Sequence, residues 1–92
     1  MTNLHQLEHL LALDEARHFA KAAQKVHLSQ PAFSRSIQAL EKQTGLVLFE
    51  RKGGEIRPTP AGQFLIQRAR ILVLEAKSLK RDIGLYQQGE VG

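Results

Sequence analysis

Apolar side chains recur every three or four positions through the first 44 residues, which is the spacing of an α-helix with one buried face. The pattern is interrupted at Arg17-His18 and again at His27-Leu28. Three helices are therefore predicted, over about residues 4–16, 19–26 and 29–44. Their apolar stripes consist of Leu4, Leu7, Leu10 and Leu11; of Phe19, Ala22, Ala23 and Val26; and of Phe33, Ile37 and Leu40.

Residues that cap helices stand at the predicted ends. Asn3 is a good N-cap, and Gln6 three positions later completes a capping box. Ser29 is an N-cap for the third helix, with Pro31 in the first turn, where its missing N–H has no intrahelical partner. Gly45 suits the left-handed position after that helix. The boundaries are thus predicted independently of the apolar pattern.

A change of pattern after residue 45 predicts a small β-hairpin. Residues 46–51 are β-prone, residues 52–54 (Lys-Gly-Gly) form a turn, and residues 55–57 return as a short strand. We expect the basic side chains to lie at the tip and edges of this wing, placed for phosphate or minor-groove contact, against the alternative of an ordinary solvated turn. The basic side chains are Arg51, Lys52 and Arg57, and the core-facing ones are Leu48, Phe49 and Ile56.

A long final helix begins at Thr59, an N-cap, with Pro60 at the first helical position. Residues 60–83 would extend about 36 Å, which exceeds what so small a domain needs for its own core. A heptad-like seam predicts pairing with another helix, although a single amphipathic helix lying on its own domain is the alternative. The seam consists of Leu65, Ala69, Leu72, Ala76, Leu79, Ile83 and Tyr86. Off the seam, Phe64, Ile71, Val73 and Leu74 are expected to pack on the domain in the first turns.

The second and third helices have the layout of a helix-turn-helix, in which the second helix of the motif enters the major groove with its N-terminal residues at the bases. The polar face of the third helix carries Gln30, Ser34, Arg35 and Gln38 and no acidic residue. Amides, hydroxyls and guanidinium groups hydrogen-bond base edges and phosphates. An ordinary polar helix surface is the other interpretation of this face.

Charge and composition further restrict the classes of function that are expected. The net charge is +4 and the pI about 9.9, which suits a polyanionic partner, and 42% hydrophobic residues fit a folded chain. No run approaches the roughly 18 apolar residues of a membrane span. Without cysteine there is no disulfide or thiolate metal site.

His5 and His9 lack a third metal ligand nearby, so two surface histidines are expected. No catalytic constellation is present, and the carboxylates Glu41, Glu50 and Glu55 are interpreted as solvated or ion-paired.

Several motifs together resemble the N-terminal domain of LysR-type transcriptional regulators. They are Ala22-Ala23, Ser29-Gln-Pro-Ala32, Ser34-Arg35, Leu40-Glu41, Leu48-Phe-Glu-Arg51 and Thr59-Pro-Ala-Gly62. The resemblance implies a mainly α, winged helix-turn-helix fold with a long dimerising linker helix. It also implies that the third helix reads the major groove and that the wing reaches the adjacent backbone or minor groove. By matching motif, Gln30, Pro31, Ser34 and Arg35 become base and phosphate contacts, Arg51 the wing contact, and Ser29 and Thr59 helix caps close to phosphate.

Two features depart from the family pattern. The chain stops near where a C-terminal effector-binding domain would begin, so a DNA-binding fragment is expected. Arg17-His18 stands where many members have small polar residues, which weakens any inference at His18. The expected organisation is a winged helix-turn-helix over residues 1–59, a linker and dimerisation helix over 60–88, and the start of a hinge over 89–92.

The function expected is a sequence-specific regulator that binds double-stranded promoter or operator DNA as a homodimer, with a tetramer as a further assembly of the full-length protein. The alternative is a coiled-coil protein-interaction module without nucleic-acid binding. No enzyme activity, metal, membrane contact or cofactor is expected in this fragment. The resemblance implies a small-molecule effector for the absent domain and a cytoplasmic, nucleoid-associated location.

Overall fold

The computed structural model describes residues 2–89, so most of the predicted hinge (residues 90–92) lies outside the described part. Four helices and one two-stranded antiparallel sheet follow each other along the chain. None of the helices in this part is long and apolar enough to cross a membrane. The elements are α1 (Leu4–Ala16), α2 (Phe19–Lys25), α3 (Gln30–Thr44), β1 (Phe49–Lys52), β2 (Glu55–Pro58) and α4 (Pro60–Gln87).

The predicted caps set the helix boundaries. Asn3 and Gln6 form the reciprocal capping box, with both hydrogen bonds 3.0 Å long. The Ser29 hydroxyl accepts from the backbone N–H of Ala32, and Gly45 ends α3 in the left-handed region at φ 72°. The Thr59 side chain caps α4 by accepting the Gly62 N–H at 2.9 Å. Local sequence is therefore sufficient to place these ends.

The first strand begins at Phe49, three residues later than the β-prone run. Backbone groups of residues 47 and 48 are used elsewhere. The Leu48 N–H donates to Oε2 of Glu41 at 2.8 Å, and the Leu48 carbonyl accepts from the Thr59 N–H at 3.0 Å. The Thr59 hydroxyl donates to the Val47 carbonyl. These bonds tie the segment to α3 and α4 rather than to β2, and they show that Glu41 is a structural acceptor rather than a solvated charge.

Two buried clusters share α1. One joins α1 and α3 to α4, and the other joins α1, α2 and α3 around Phe33, which is completely buried. Burying a large apolar side chain contributes about 1.5–3 kcal/mol, so Phe33, Ile37 and Leu40 together attach α3 to the domain. The adjacent Ala22 and Ala23 let α2 approach closely, as their pattern predicts. The first cluster consists of Leu7, Leu10, Leu40, Leu48, Ile66, Ala69 and Val73, and the second of Ala12, Leu13, Ala22, Ala23, Phe33 and Ile37.

The predicted faces of α4 need correction. Ile66, Ala69 and Val73 face the domain core, so Ala69 of the predicted seam is fully buried against its own chain. Leu65 also packs on that cluster. Burial of Val73 confirms its expected packing, whereas the expectation is wrong for three residues that are 57–65% exposed. Those three are Phe64, Ile71 and Leu74. A helix that is apolar on two sides does not reveal from its period which side meets the domain.

The second half of α4 projects from the domain. The helix has 28 residues, Val73 is the last buried one, and the longest dimension of the protein is 53 Å. Beyond Val73, large apolar side chains of the predicted seam remain exposed. Their exposed fractions are 60% for Leu79, 50% for Ile83 and 73% for Tyr86, and Leu72 one residue before Val73 is 48% exposed.

Candidate nucleic-acid interface

A tight turn joins α2 to α3. His27 adopts a left-handed conformation at φ 59°, and the Leu28 N–H donates back to the Ala23 carbonyl at 2.9 Å. Val26, expected as the last helical residue, is the C-cap of α2. A short helix, a turn and a capped longer helix thus form the predicted helix-turn-helix layout.

The two faces of α3 separate as predicted. Phe33, Ile37 and Leu40 are buried, which fixes the opposite face toward solvent. On that outer face Gln30, Arg35 and Gln38 are exposed and Ser34 is half-buried, while Pro31 is exposed in the first turn. The first acidic residue of the helix is Glu41, in its C-terminal half. The helix itself therefore carries no acidic residue over about its first three turns, while Glu41 and Glu50 line the groove beside Gln30, Ser34 and Gln38.

His9 supports α3 from the side opposite to this face. Its Nδ1 lies 2.6 Å from the Ser36 hydroxyl, and its ring centroid is 5.8 Å from that of Phe33. The histidine is half-buried, so the expectation of a simple surface residue is wrong for His9, while His5 is exposed. Burial, with a smaller contribution from the charge of His5, lowers the pKa of His9. In the described residues no three potential ligands come together as a metal site.

The lowered pKa of His9 predicts that stability falls with decreasing pH. Because the unfolded chain binds this proton more tightly, the contribution is complete above the ordinary value of 6.5 and is lost as pH falls below it. Urea denaturation between pH 5 and 8 measures this. His9→Gln should remove this part of the pH dependence, whereas His27→Asn, at an exposed left-handed position, should retain it. An unchanged pH profile for His9→Gln would contradict the assignment.

The wing has two chemically distinct faces. Its register pairs Glu50 with Arg57, Arg51 with Ile56, and Lys52 with Glu55 across the strands. Directly paired residues share a face, so two acids and two bases alternate on the outer face and cancel in charge. Arg57 is in addition hydrogen-bonded to Glu55, with Nη2 and Oε2 2.8 Å apart. The outer face of the wing therefore carries no net charge, although Lys52 and Arg57 lie on it.

Arg51 lies on the inner face of the wing, beside the buried Ile56. Its guanidinium carbon is 5.8 Å from the ring centroid of Phe19, the first residue of α2. Arg51 is thus held between the wing and the helix-turn-helix rather than at the wing tip. The tip itself is formed by Gly53 and Gly54, whose φ values of 60° and 81° fit a two-residue turn that needs positive φ at both positions.

Two predicted contact residues also serve as caps. The hydroxyl of Ser29 accepts from the α3 backbone and makes no donated hydrogen bond within residues 2–89, so its hydrogen remains available to a ligand. The hydroxyl of Thr59 both accepts from Gly62 and donates to Val47. A DNA contact of Thr59 stays a prediction, and its hydroxyl hydrogen is already in use.

The sequence and the fold match one family of proteins. A family model described as "Bacterial regulatory helix-turn-helix protein, lysR family" matches residues 4–63, about two thirds of the chain. This chain belongs to the LysR family. The matched range ends at the start of α4, so it includes the helix-turn-helix and the wing and leaves most of the long helix outside.

Individual LysR relatives support this assignment. The chain is 43% identical over 88 residues to the DNA-binding transcriptional dual regulator OxyR of Escherichia coli K12, covering 96% of this chain and 28% of the relative. It is 45% identical over 80 residues to an SDS degradation transcriptional activation protein of a Pseudomonas species, covering 87% of this chain and 26% of the relative. The chain therefore spans little more than a quarter of these curated relatives.

Solved structures confirm the winged fold with its long helix. The crystal structure of a BenM_DBD/catB site 1 DNA complex superposes with a TM-score of 0.90 at 33% identity, covering 96% of this chain and 95% of that one. The predictions of the LysR family and of the fold class are confirmed. The alternative of an interaction module without nucleic-acid binding finds no support.

Proposed function

We propose that this LysR-type domain binds double-stranded promoter or operator DNA as a dimer, with α3 in the major groove and the wing beside the adjacent backbone. The observation that carries the proposal is the exposed, acid-free N-terminal half of α3, held in place by the buried Phe33 and Ile37. The solved structures of BenM_DBD and CbnR_DBD, to which the fold is similar, are complexes of those domains with DNA. Gel-shift titration with genomic fragments tests the proposal, and absence of binding at low salt would overturn it.

The contacts divide by chemistry. Gln30 is suited to a bidentate pair with adenine, and Arg35 to guanine or to a phosphate. The hydroxyls of Ser29 and Ser34 suit phosphate, and Pro31 offers an apolar surface at the start of α3. Of the remaining predicted contacts, Gln38, Lys52 and Arg57 are exposed, while Thr59 is half-buried.

Arg35→Ala distinguishes a base contact from a phosphate contact. If Arg35 reads a base, the substitution should cost about 1–3 kcal/mol of binding free energy and relax specificity at one operator position. Selection of bound DNA from a random pool, followed by sequencing, measures both for the variant and the wild-type protein. Equal weakening on all sequences would instead assign Arg35 to a phosphate.

The dimer that we propose uses the projecting half of α4. Its exposed apolar residues, together with Leu72 just before it, are the part of the predicted seam that is free of the domain core, and exposed apolar residues that recur along a helix are typical of an interaction site. This set, the α4 seam, consists of Leu72, Leu79, Ile83 and Tyr86. Ala76 is half-buried beside it.

The remaining expectations are proposals of the same kind. Binding DNA needs no catalytic step and no cofactor in these residues. A small-molecule effector would act through a further domain of the sort that longer family members carry, and a tetramer would need that domain as well. A cytoplasmic, nucleoid-associated location follows from the proposed DNA target, and fluorescence microscopy of a tagged chain together with a DNA stain would test it.

A further inference from the structure

A groove of about 290 Å³ lies where the wing meets the start of α2 and the start of α3. Of five surface grooves compared within residues 2–89, the other four are each lined by at least one Glu or Asp, and this one is lined by none. Its polar lining comes from Arg17, His18, Gln30 and Arg51. The groove thus combines donors and positive charge at the edge of the recognition helix.

The two arginines in this groove differ in availability. Arg17 is paired with Asp14, with Nη2 and Oδ1 3.0 Å apart, and its Nε also donates to the Asp14 carbonyl, although Asp14 is shared with Arg70. Arg51 forms no ion pair within residues 2–89, and its guanidinium is held over the ring of Phe19. A cation positioned in this way and left unpaired is prepared to receive an anion.

His18 provides a second donor. As N-cap of α2, its Nδ1 accepts the Lys21 N–H at 3.3 Å, so Nε2 is the ring nitrogen that can donate to a ligand. The residue is exposed, and Nε2 makes no hydrogen bond within residues 2–89. The cap therefore leaves Nε2 as the donor atom of His18 in the groove, although the departure from the family pattern had weakened any inference at this position.

We propose that the groove between His18, Gln30 and Arg51 holds one backbone phosphate of the bound DNA, with Arg51 as the cation and His18 as a neutral donor. The proposal rests on the proposed function, because the phosphate belongs to the duplex whose major groove α3 enters. Gln30 lines the groove and is also the first residue of α3. A phosphate bound in the groove would therefore fix the position of the base-reading residues along the DNA. Arg51 thereby acts beside α3, not in the minor groove under the wing tip.

Single-phosphate neutralisation tests this assignment. Duplexes are made from a sequence selected out of a random pool, each with one phosphate replaced by an uncharged methylphosphonate. At one position in each half-site, the replacement should weaken binding of the wild-type chain about tenfold, the scale of a charge-assisted hydrogen bond. The same replacement should weaken binding of Arg51→Gln and of His18→Asn less than it weakens binding of the wild type, because each variant has already lost one of the two ligands of that phosphate.

Two variants distinguish the charge supplied by Arg51 from the hydrogen bond donated by His18. Asn is a preferred N-cap, so His18→Asn keeps the α2 cap but is too short to donate in the groove. Arg51→Gln should reduce the slope of log K against log salt by about one per site, whereas His18→Asn should leave the slope unchanged, since a neutral donor releases no counterion. Lys77→Gln, which removes one charge in a different groove, should bind every duplex like the wild type.

These measurements distinguish failure of the phosphate site from failure of the proposed DNA binding. If the wild-type chain binds no selected duplex at low salt, the DNA-binding proposal itself fails. If it binds, but Arg51→Gln or His18→Asn stays as sensitive as the wild type to every methylphosphonate, the phosphate site is overturned. A salt slope that changes on His18→Asn would also contradict the neutral donor.

Discussion

Gly62→Ala is expected to destabilise the domain by about 3 kcal/mol or more, which is in the range of severe overpacking. A Cβ atom at this position would lie 2.0 Å from the backbone oxygen of Leu48 and 2.9 Å from its carbon. Backbone does not move aside like a flexible side chain, because the Leu48 amide and carbonyl are bonded to Glu41 and Thr59. The first turn of α4 would have to leave the 46–48 segment.

Thermal unfolding followed by circular dichroism measures the loss. For a domain of this size, 3 kcal/mol corresponds to a decrease in Tm of about 12–24 °C. Gly84→Ala is the matched control, because it lies in the same helix and an added Cβ there meets nothing within 4 Å. That control should be neutral or stabilise by up to about 1 kcal/mol. Equal Tm values for the two variants would show that the close approach at Gly62 does not limit stability.

Local sequence was sufficient for the helix ends and for the turn of the wing. The capping box at Asn3, the N-caps at Ser29 and Thr59, and the left-handed Gly45 each act within a few residues. Their chemistry is complete in the local sequence, so no tertiary contact is needed to predict them. The buried face of α3 was equally predictable, because all three residues of its apolar stripe are buried, Phe33 and Ile37 in one cluster and Leu40 in the other.

Contacts between residues distant in sequence were not predictable. His9 and Ser36 are 27 positions apart, and no local pattern signals their hydrogen bond. The bond from Leu48 to Glu41 is similar, since a lone carboxylate near a helix end is usually solvated. Alternation along the wing does place Arg51 on the face of Ile56, so that signal was present in the sequence. The faces of α4 were ambiguous because both sides are apolar.

The α4 seam should control assembly and, through it, affinity for DNA. Leu79→Asp together with Ile83→Asp places two carboxylates on a surface whose four apolar residues are 48–73% exposed in the single chain. Burying either charge without a partner costs several kcal/mol, so the double variant should be monomeric. Analytical ultracentrifugation measures the change, and an unchanged helical circular dichroism signal shows that α4 still folds.

The loss of the dimer should appear in DNA binding as loss of avidity. Two linked reading heads bind a two-half-site duplex about 10²–10⁴-fold more tightly than one head binds alone. The double variant should therefore lose about 100-fold or more on that duplex, yet bind a single half-site like the wild type, because α3 and the core that holds it lie outside the seam. Lys80→Gln, at an exposed position on the same helix, is the charge control. It tests whether the loss of one positive charge is enough to weaken binding to the duplex with two half-sites. Two outcomes would contradict this role of the α4 seam. The double variant could remain dimeric, or it could lose as much affinity for the single half-site as for the duplex with two half-sites.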